Sequence, residues 1–182
     1  MDLTEKTLDS QTLFDGVIVH LRRDTVEVPG GNHAIREVVD HPGGVGIIPV
    51  DADGCVFLVR QFRYPIKEVV LEIPAGKREP GEHHRITAER ELSEEVGATA
   101  GKLTYLGYVY ASPGFCTEAI HLYLAEDLTF GETNPDEDEF LEIERIPLNQ
   151  LVEMALDGTL NDGKTVVGIL RAAATRKGVC SL

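Results

Sequence analysis

Residues 90–97 read "RELSEEVG". Ala88, Leu92 and Val96 recur every four residues around them, so the spacing predicts an amphipathic helix over 82–96 that Gly97 ends. Such a helix crowds Glu91, Glu94 and Glu95 into its last turn and a half. The C-terminal end of a helix carries partial negative charge, and like charges four residues apart repel. At about 100° per residue, Glu91 and Glu95 project within about 40° of each other, with Glu94 about 60° to the other side. All three flank the apolar stripe, at the margin of the buried face, where an unpaired carboxylate is costly. Arg90 can pair with Glu94 at i+4, but one arginine cannot neutralise three acids. One reading is a solvated acidic face. The other is a divalent cation site, since Mg²⁺ takes one or two carboxylates and fills its remaining positions with water and phosphate oxygens.

Outward from this helix the chain is β-rich on both sides. Residues 14–39 hold short β-prone runs, "FDGVIVHLRR", "DTVEVPG" and "HAIREVV", broken by Gly, Pro and Asn, which predict an N-terminal sheet or arm. In "GGVGIIPVDADGCVFLVRQFRYP" the "DADG" is a turn between two apolar strands. "VVLEIPAGKREPGE" is a strand running into a Gly/Pro-rich loop, and "KLTYLGYVYAS" and "AIHLYLAED" are strands after the helix. "LNQLVEMALDG" and "TVVGILRAAATRK" carry helical spacing and close the chain. Strands, helix, strands and helices in that order suggest a mixed sheet with helices packed on it.

Composition excludes several classes. With 182 residues, 42% hydrophobic and 26% charged, the chain suits one globular domain, or one domain with a short appendage. A net charge of −14 argues against nucleic-acid binding through a broad basic surface. Cys55, Cys116 and Cys180 are odd in number and form no CxxC pair, so neither a disulfide framework nor a structural zinc site is expected. The start lacks the pattern of a signal peptide, and no apolar run approaches membrane-spanning length. "VCSL" leaves too few residues after its cysteine for a prenylation box. A cytoplasmic protein is expected.

Gly76, Glu82, Arg90, Glu91, Leu92, Glu94, Glu95, Gly97 and Ala98 match the Nudix box, Gx₅Ex₇REUxEExGU, with Ala98 small for its bulky position. The chain therefore resembles the Nudix hydrolases, which cleave nucleoside diphosphates linked to another group. "LVRQFRYP", "LEIPAGK", "SPGF" followed by Glu118, "HLYLA" and "DEDEF", with Pro113 past the box, are similar to the ADP-ribose pyrophosphatase branch across residues 36–146. Relatives that cleave GDP-mannose share much of this framework.

The resemblance implies an α+β fold, an α/β/α sandwich with a mixed β-sheet between helices. It further implies a β-rich arm over 1–40 used for dimerisation and a Nudix domain over 41–182. Glu91 and Glu95 would ligate Mg²⁺, with Mn²⁺ as a substitute and about two or three ions per site. Glu94 would be a further ligand or a base acting through water, and the Ala75 carbonyl the non-carboxylate ligand. Glu82 would assist through water or pair with Arg90, unless it is only a first-turn acid favoured by the helix dipole. Arg90 would hold the glutamates, while Gly76 and Gly97 shape the backbone. The catalytic base would come from "NPDEDEF", with Glu137 and Glu139 as candidates; the alternative is that these acids only solvate a loop.

Arg36, Arg63 and Glu118 match family residues beside the substrate. Each arginine could instead be a surface ion-pair partner, and Arg60, three residues before Arg63, is a weaker candidate. For His41, His83 and His84 exposure is expected rather than metal binding, and for any one of Phe62, Tyr64 and Tyr110 core packing rather than stacking on adenine. The expected reaction is hydrolysis of ADP-ribose to AMP and ribose 5-phosphate by a homodimer that exchanges N-terminal strands. Two alternatives are an enzyme for another sugar nucleotide such as GDP-mannose and a sensor that binds ADP-ribose without cleaving it.

Overall fold

The computed structural model describes residues 2–134 and 140–178. The chain divides into two compact units, one made of residues up to 43 with 110–119 and the other of 44–109 with 120 onwards.

The first unit is an antiparallel sheet of β1 (Lys6–Asp15), β2 (His20–Glu27) and β3 (His33–Asp40), in that order. β2 and β3 pair without a break from His20 opposite Asp40 to Glu27 opposite His33. Their connection needs Gly30 and Gly31 at φ of 101° and 85°, a region closed to most side chains. β1 begins before the first β-prone run of the sequence. Every residue of β1 is exposed, so no alternation of apolar and polar residues marked it. Segment 110–119 joins this unit through Val39, whose N–H donates to Phe115 O at 2.7 Å and whose carbonyl accepts from Thr117 N at 3.0 Å.

The second unit holds β4 (Gly44–Pro49), β5 (Cys55–Arg63), β6 (Glu68–Glu72), β7 (Ala75–Lys77), α1 (His84–Val96), β8 (Ala98–Tyr110), β9 (Ala119–Phe130), β10 (Glu142–Pro147), α2 (Leu148–Asp157) and α3 (Gly163–Arg176). One sheet runs β7-β4-β9-β8, with β4 antiparallel to β7 and parallel to β9. An antiparallel sheet runs β10-β5-β6. The turn before β5 forms where "DADG" predicts it, with Asp51 Oδ1 accepting the N–H groups of Asp53 and Cys55, both at 2.9 Å.

β4 shows why the sheet sits between helices. Its apolar residues alternate, as strand geometry requires. Val45 and Ile47 pack with Ala88, Leu92 and Val96 of α1, while Ile48 packs with Leu151 of α2 and Ile169 and Ala172 of α3. The architecture is thus the expected α/β/α arrangement around a mixed sheet.

Candidate active site

α1 starts two residues later than the spacing suggests. Pro80 and Gly81 turn the chain, with Gly81 at φ 80°, and His83 caps the helix by accepting Arg85 N–H at 3.2 Å. Glu82 stays outside, accepting Glu79 N–H at 3.1 Å and the Thr87 hydroxyl at 2.9 Å. The Glu79 bond comes first in holding the Glu82 carboxyl below its ordinary range. At the other end Gly97 takes φ 66° and returns its N–H to Ser93 O at 3.0 Å, the left-handed stop.

Two of the three box glutamates go further in than the helix margin. Glu91 and Glu95 are 6% and 3% exposed, while Glu94 is half-buried. Arg90 Nη1 lies 2.8 Å from both Glu91 Oε1 and Glu94 Oε2, Nε lies 3.5 Å from Glu82 Oε1, and Nη2 donates to Lys77 O at 3.2 Å. Burial alone would make the guanidinium easier to deprotonate, but the charge of Glu91 and the bonds from Glu94 and Glu82 outweigh it and raise the Arg90 pKa. One cation thus faces three carboxylates. Glu95 Oε2 accepts the backbone N–H of Ala75 at 3.1 Å, tying the helix to the strand that also carries Gly76. A Cβ on Gly76 would collide with the Glu91 carboxylate.

These residues fit a divalent cation. Among the described residues no three His, Cys, Asp or Glu side chains are already gathered as a metal cage. Mg²⁺ does not need such a cage, because one or two carboxylates suffice when water and phosphate complete the octahedron. Two nearly buried carboxylates on one helix face, with the side-chain-free Gly76 beside Glu91, are a donor set of that kind.

The other expected arginines are each paired with a glutamate. Arg63 ends β5 and forms a two-pronged pair with Glu72, Nε to Oε1 at 2.6 Å and Nη2 to Oε2 at 2.7 Å. Arg60 pairs with Glu144 on β10. Arg36 and Glu118 belong to the first unit, where Arg36 is bonded to Glu5 at 2.6 and 2.9 Å and Glu118 lies 3.6 Å from His41, which is half-buried rather than exposed and accepts the Gly43 N–H at 3.1 Å. Glu137 and Glu139 lie outside the described residues. Phe62, Tyr64 and Tyr110 are exposed rather than packed in the core.

The sequence reading passed over one group and misplaced another. The first is the carboxylate of Glu72, 1% exposed and reached also by Lys164 of α3. Its signal was a lone acid within the apolar run "VVLEIP". The second corrects the expectation of an exposed His84. The imidazole is half-buried, stacked on His121 with ring centroids 4.0 Å apart, and its Nδ1 is bonded to Tyr123 OH. Burial, then His121, His83 and Arg78, lower the His84 pKa to about 4.

Residues 40–167 match the NUDIX domain, and residues 5–39 match the nucleoside diphosphate sugar hydrolase N-terminal domain. The chain belongs to the Nudix family of hydrolases. It is 41% identical to an ADP-ribose pyrophosphatase of Bacillus subtilis over 169 residues, covering 92% of this chain and 91% of that one. A methanol dehydrogenase activator of Bacillus methanolicus is 39% identical over 167 residues, 91% and 90% of the two chains. A GDP-mannose pyrophosphatase of Yersinia enterocolitica is 33% identical over 143 residues, 73% and 74% of the two chains. The fold is that of a crystal structure of an ADP compounds hydrolase, with a TM-score of 0.86, 24% identity and complete coverage of both chains. Nudix hydrolases act with divalent cations. Among the described residues no helix is long and apolar enough to cross a membrane.

Proposed function

We propose that this chain is a Mg²⁺-dependent pyrophosphatase, with Mn²⁺ as a substitute metal, that hydrolyses ADP-ribose to AMP and ribose 5-phosphate. The observation that carries this reading is the pair Glu91 and Glu95, nearly buried on one face of α1 beside Gly76 and the Ala75 strand. The 41% identical pyrophosphatase, matched over nine-tenths of both chains, supports the substrate.

The chain's own residues have distinct roles in this reading. Glu91, Glu95 and the Ala75 carbonyl hold the cations, with Glu94 as a further ligand or a base acting through water. Bound cations supply charge neutralisation of the diphosphate and activation of the attacking water. Arg90 keeps the carboxylates in place between catalytic cycles, and Glu82 steadies Arg90. Gly76 leaves room for Glu91. Glu137 or Glu139 takes the proton from water. In support, Asn134, the first residue of "NPDEDEF", donates its N–H to Glu94 O at 3.0 Å, in the last turn of α1. Arg63 contacts the substrate, and Arg36 and Glu118 are further substrate contacts. Water adds to one phosphorus, the P–O bond of the anhydride breaks, and the two monophosphates leave.

The arm over 1–40 serves dimerisation by strand exchange, and 41–182 is the catalytic domain. Exposed Leu8, Leu13, Phe14, Val17, Ile18 and Val19 support this, since such apolar residues gain by being covered. Static light scattering should give twice the mass of 19.9 kDa.

The deciding experiment incubates the protein with Mg²⁺ and, separately, ADP-ribose, GDP-mannose, UDP-glucose, NADH and diadenosine polyphosphates, and resolves the products. The expected result is preferred conversion of ADP-ribose to AMP and ribose 5-phosphate, abolished by chelation and in Glu95→Gln. No turnover of any compound by wild type would sink the enzyme reading. A second reading, GDP-mannose as substrate, is favoured by the 33% identical pyrophosphatase, and preference for that compound in the same panel would establish it.

A further inference from the structure

Arg63 does not stand alone at the end of β5. Beyond it the chain turns sharply, with Ile66 N and Lys67 N donating to Arg63 O at 3.2 and 2.9 Å. A strand-end arginine with an exposed side chain would otherwise sample many rotamers. Here Glu72 grips one edge of the guanidinium by two parallel bonds, which sets its plane as well as its position. Nη1 has no hydrogen-bond partner among the described residues, and the side chain is 42% exposed.

Glu72 is itself held. Its side chain is 2% exposed, and Lys164 Nζ contacts the same Oε2 that Arg63 uses. Burial pushes the Glu72 carboxyl up, yet Arg63 and Lys164 together bring it below its ordinary value. Lys164 breaks a local rule, because the second residue of α3 sits at the positive end of the helix dipole. Asp162, the cap of α3, compensates at 3.1 Å from Nζ while accepting Thr165 N–H at 3.0 Å. The same helix turn anchors the strand, since Thr165 Oγ1 accepts Ile73 N–H at 2.9 Å. Glu72 is therefore fixed from both its main chain and its carboxylate. A cation placed against the dipole and nearly buried marks a site kept for something other than helix stability.

We propose that Glu72 and Lys164 are positioning residues for Arg63, holding one edge of its guanidinium so that Nη1 is presented to an anionic group of the nucleoside diphosphate substrate. This rests on the reading of Arg63 as a substrate contact. Neither residue touches substrate; each acts through the arginine.

The test is a double-mutant cycle read in KM and kcat with ADP-ribose and Mg²⁺. Arg63→Ala is expected to raise KM. Glu72→Gln and Lys164→Met are each expected to raise KM about tenfold with kcat changed far less, the effect of a binding group displaced by a fraction of an ångström to an ångström. In the Arg63→Ala background neither should raise KM further, and Lys164→Arg should restore KM to near the wild-type value. Far-UV circular dichroism confirms folding; if Glu72→Gln does not fold, the Lys164 variants decide. If Arg63→Ala raises KM but the Glu72 and Lys164 effects add to it in full, or do not occur, the positioning proposal fails while the contact reading stands. If Arg63→Ala leaves KM unchanged, the contact reading fails and takes the proposal with it.

Discussion

The Glu91 carboxylate fills the space that a side chain at Gly76 would need. A Cβ there would overlap both carboxylate oxygens, and Glu91, 6% exposed, has little open space to retreat into. Gly76→Ala should therefore displace a proposed cation ligand. An activity loss of about 10–100-fold is expected, the range seen when groups that orient metal ligands are changed. The Mg²⁺ concentration for half-maximal rate should rise as well. A Gly76→Ala enzyme with unchanged Mg²⁺ dependence and rate would show that Glu91 need not occupy this place.

Arg90 Nη1 lies 2.8 Å from both Glu91 and Glu94. Removing it leaves carboxylates that repel one another next to the core, so Arg90→Ala should destabilise the metal-free protein by about 1–3 kcal/mol. Divalent cation replaces the missing positive charge, so Mg²⁺ should raise the melting temperature of Arg90→Ala more than that of wild type. Scanning calorimetry with EDTA and with excess Mg²⁺ measures both. Equal Mg²⁺ shifts in the two proteins would count against a cation site at these glutamates.

What the sequence could show follows from how local each feature is. Glu91, Glu94 and Glu95 were legible because the helix period alone places them on one side, and the box spacing adds Gly76 and Glu82. That two of them are nearly buried was not legible, since it depends on β4 and β7 lying under α1. β1 left no alternating apolar signature because all of its residues are exposed. Glu72 looked like an isolated acid because Lys164 lies 92 residues away in the chain. His84 looked like a surface residue because its neighbours Tyr123 and His121 arrive on β9.

His84 makes stability pH-dependent in a definite direction. In the unfolded chain it takes a proton near 6.5, whereas burial first, with His121, His83 and Arg78, delays this to about 4 in the fold. Between these values the unfolded state binds more protons, so stability falls as pH drops from about 6.5 towards 4. His121 is shifted in the same direction, by burial first and then by Arg78 and His83. His84→Phe should remove part of this loss. Urea midpoints at pH 7 and pH 5 should differ less in the variant than in wild type; equal differences would mean that the imidazole protonates freely in the folded protein.

Thr165 tests the link between α3 and the strand that leads to Ala75. Its side chain is fully buried, its Oγ1 accepts Ile73 N–H at 2.9 Å, and its hydroxyl donates to Asp162 at 2.5 Å. Thr165→Val keeps the volume but leaves the Ile73 N–H without its acceptor, at a cost of about 1–3 kcal/mol. At roughly 2–4 °C per kcal/mol for a chain of this size, the melting temperature should fall by about 2–12 °C. Thr165→Ser keeps the hydroxyl and loses only a methyl, so it should fall less. If the serine variant melts lower than the valine variant, packing of the methyl group rather than the Ile73 hydrogen bond ties α3 to the sheet.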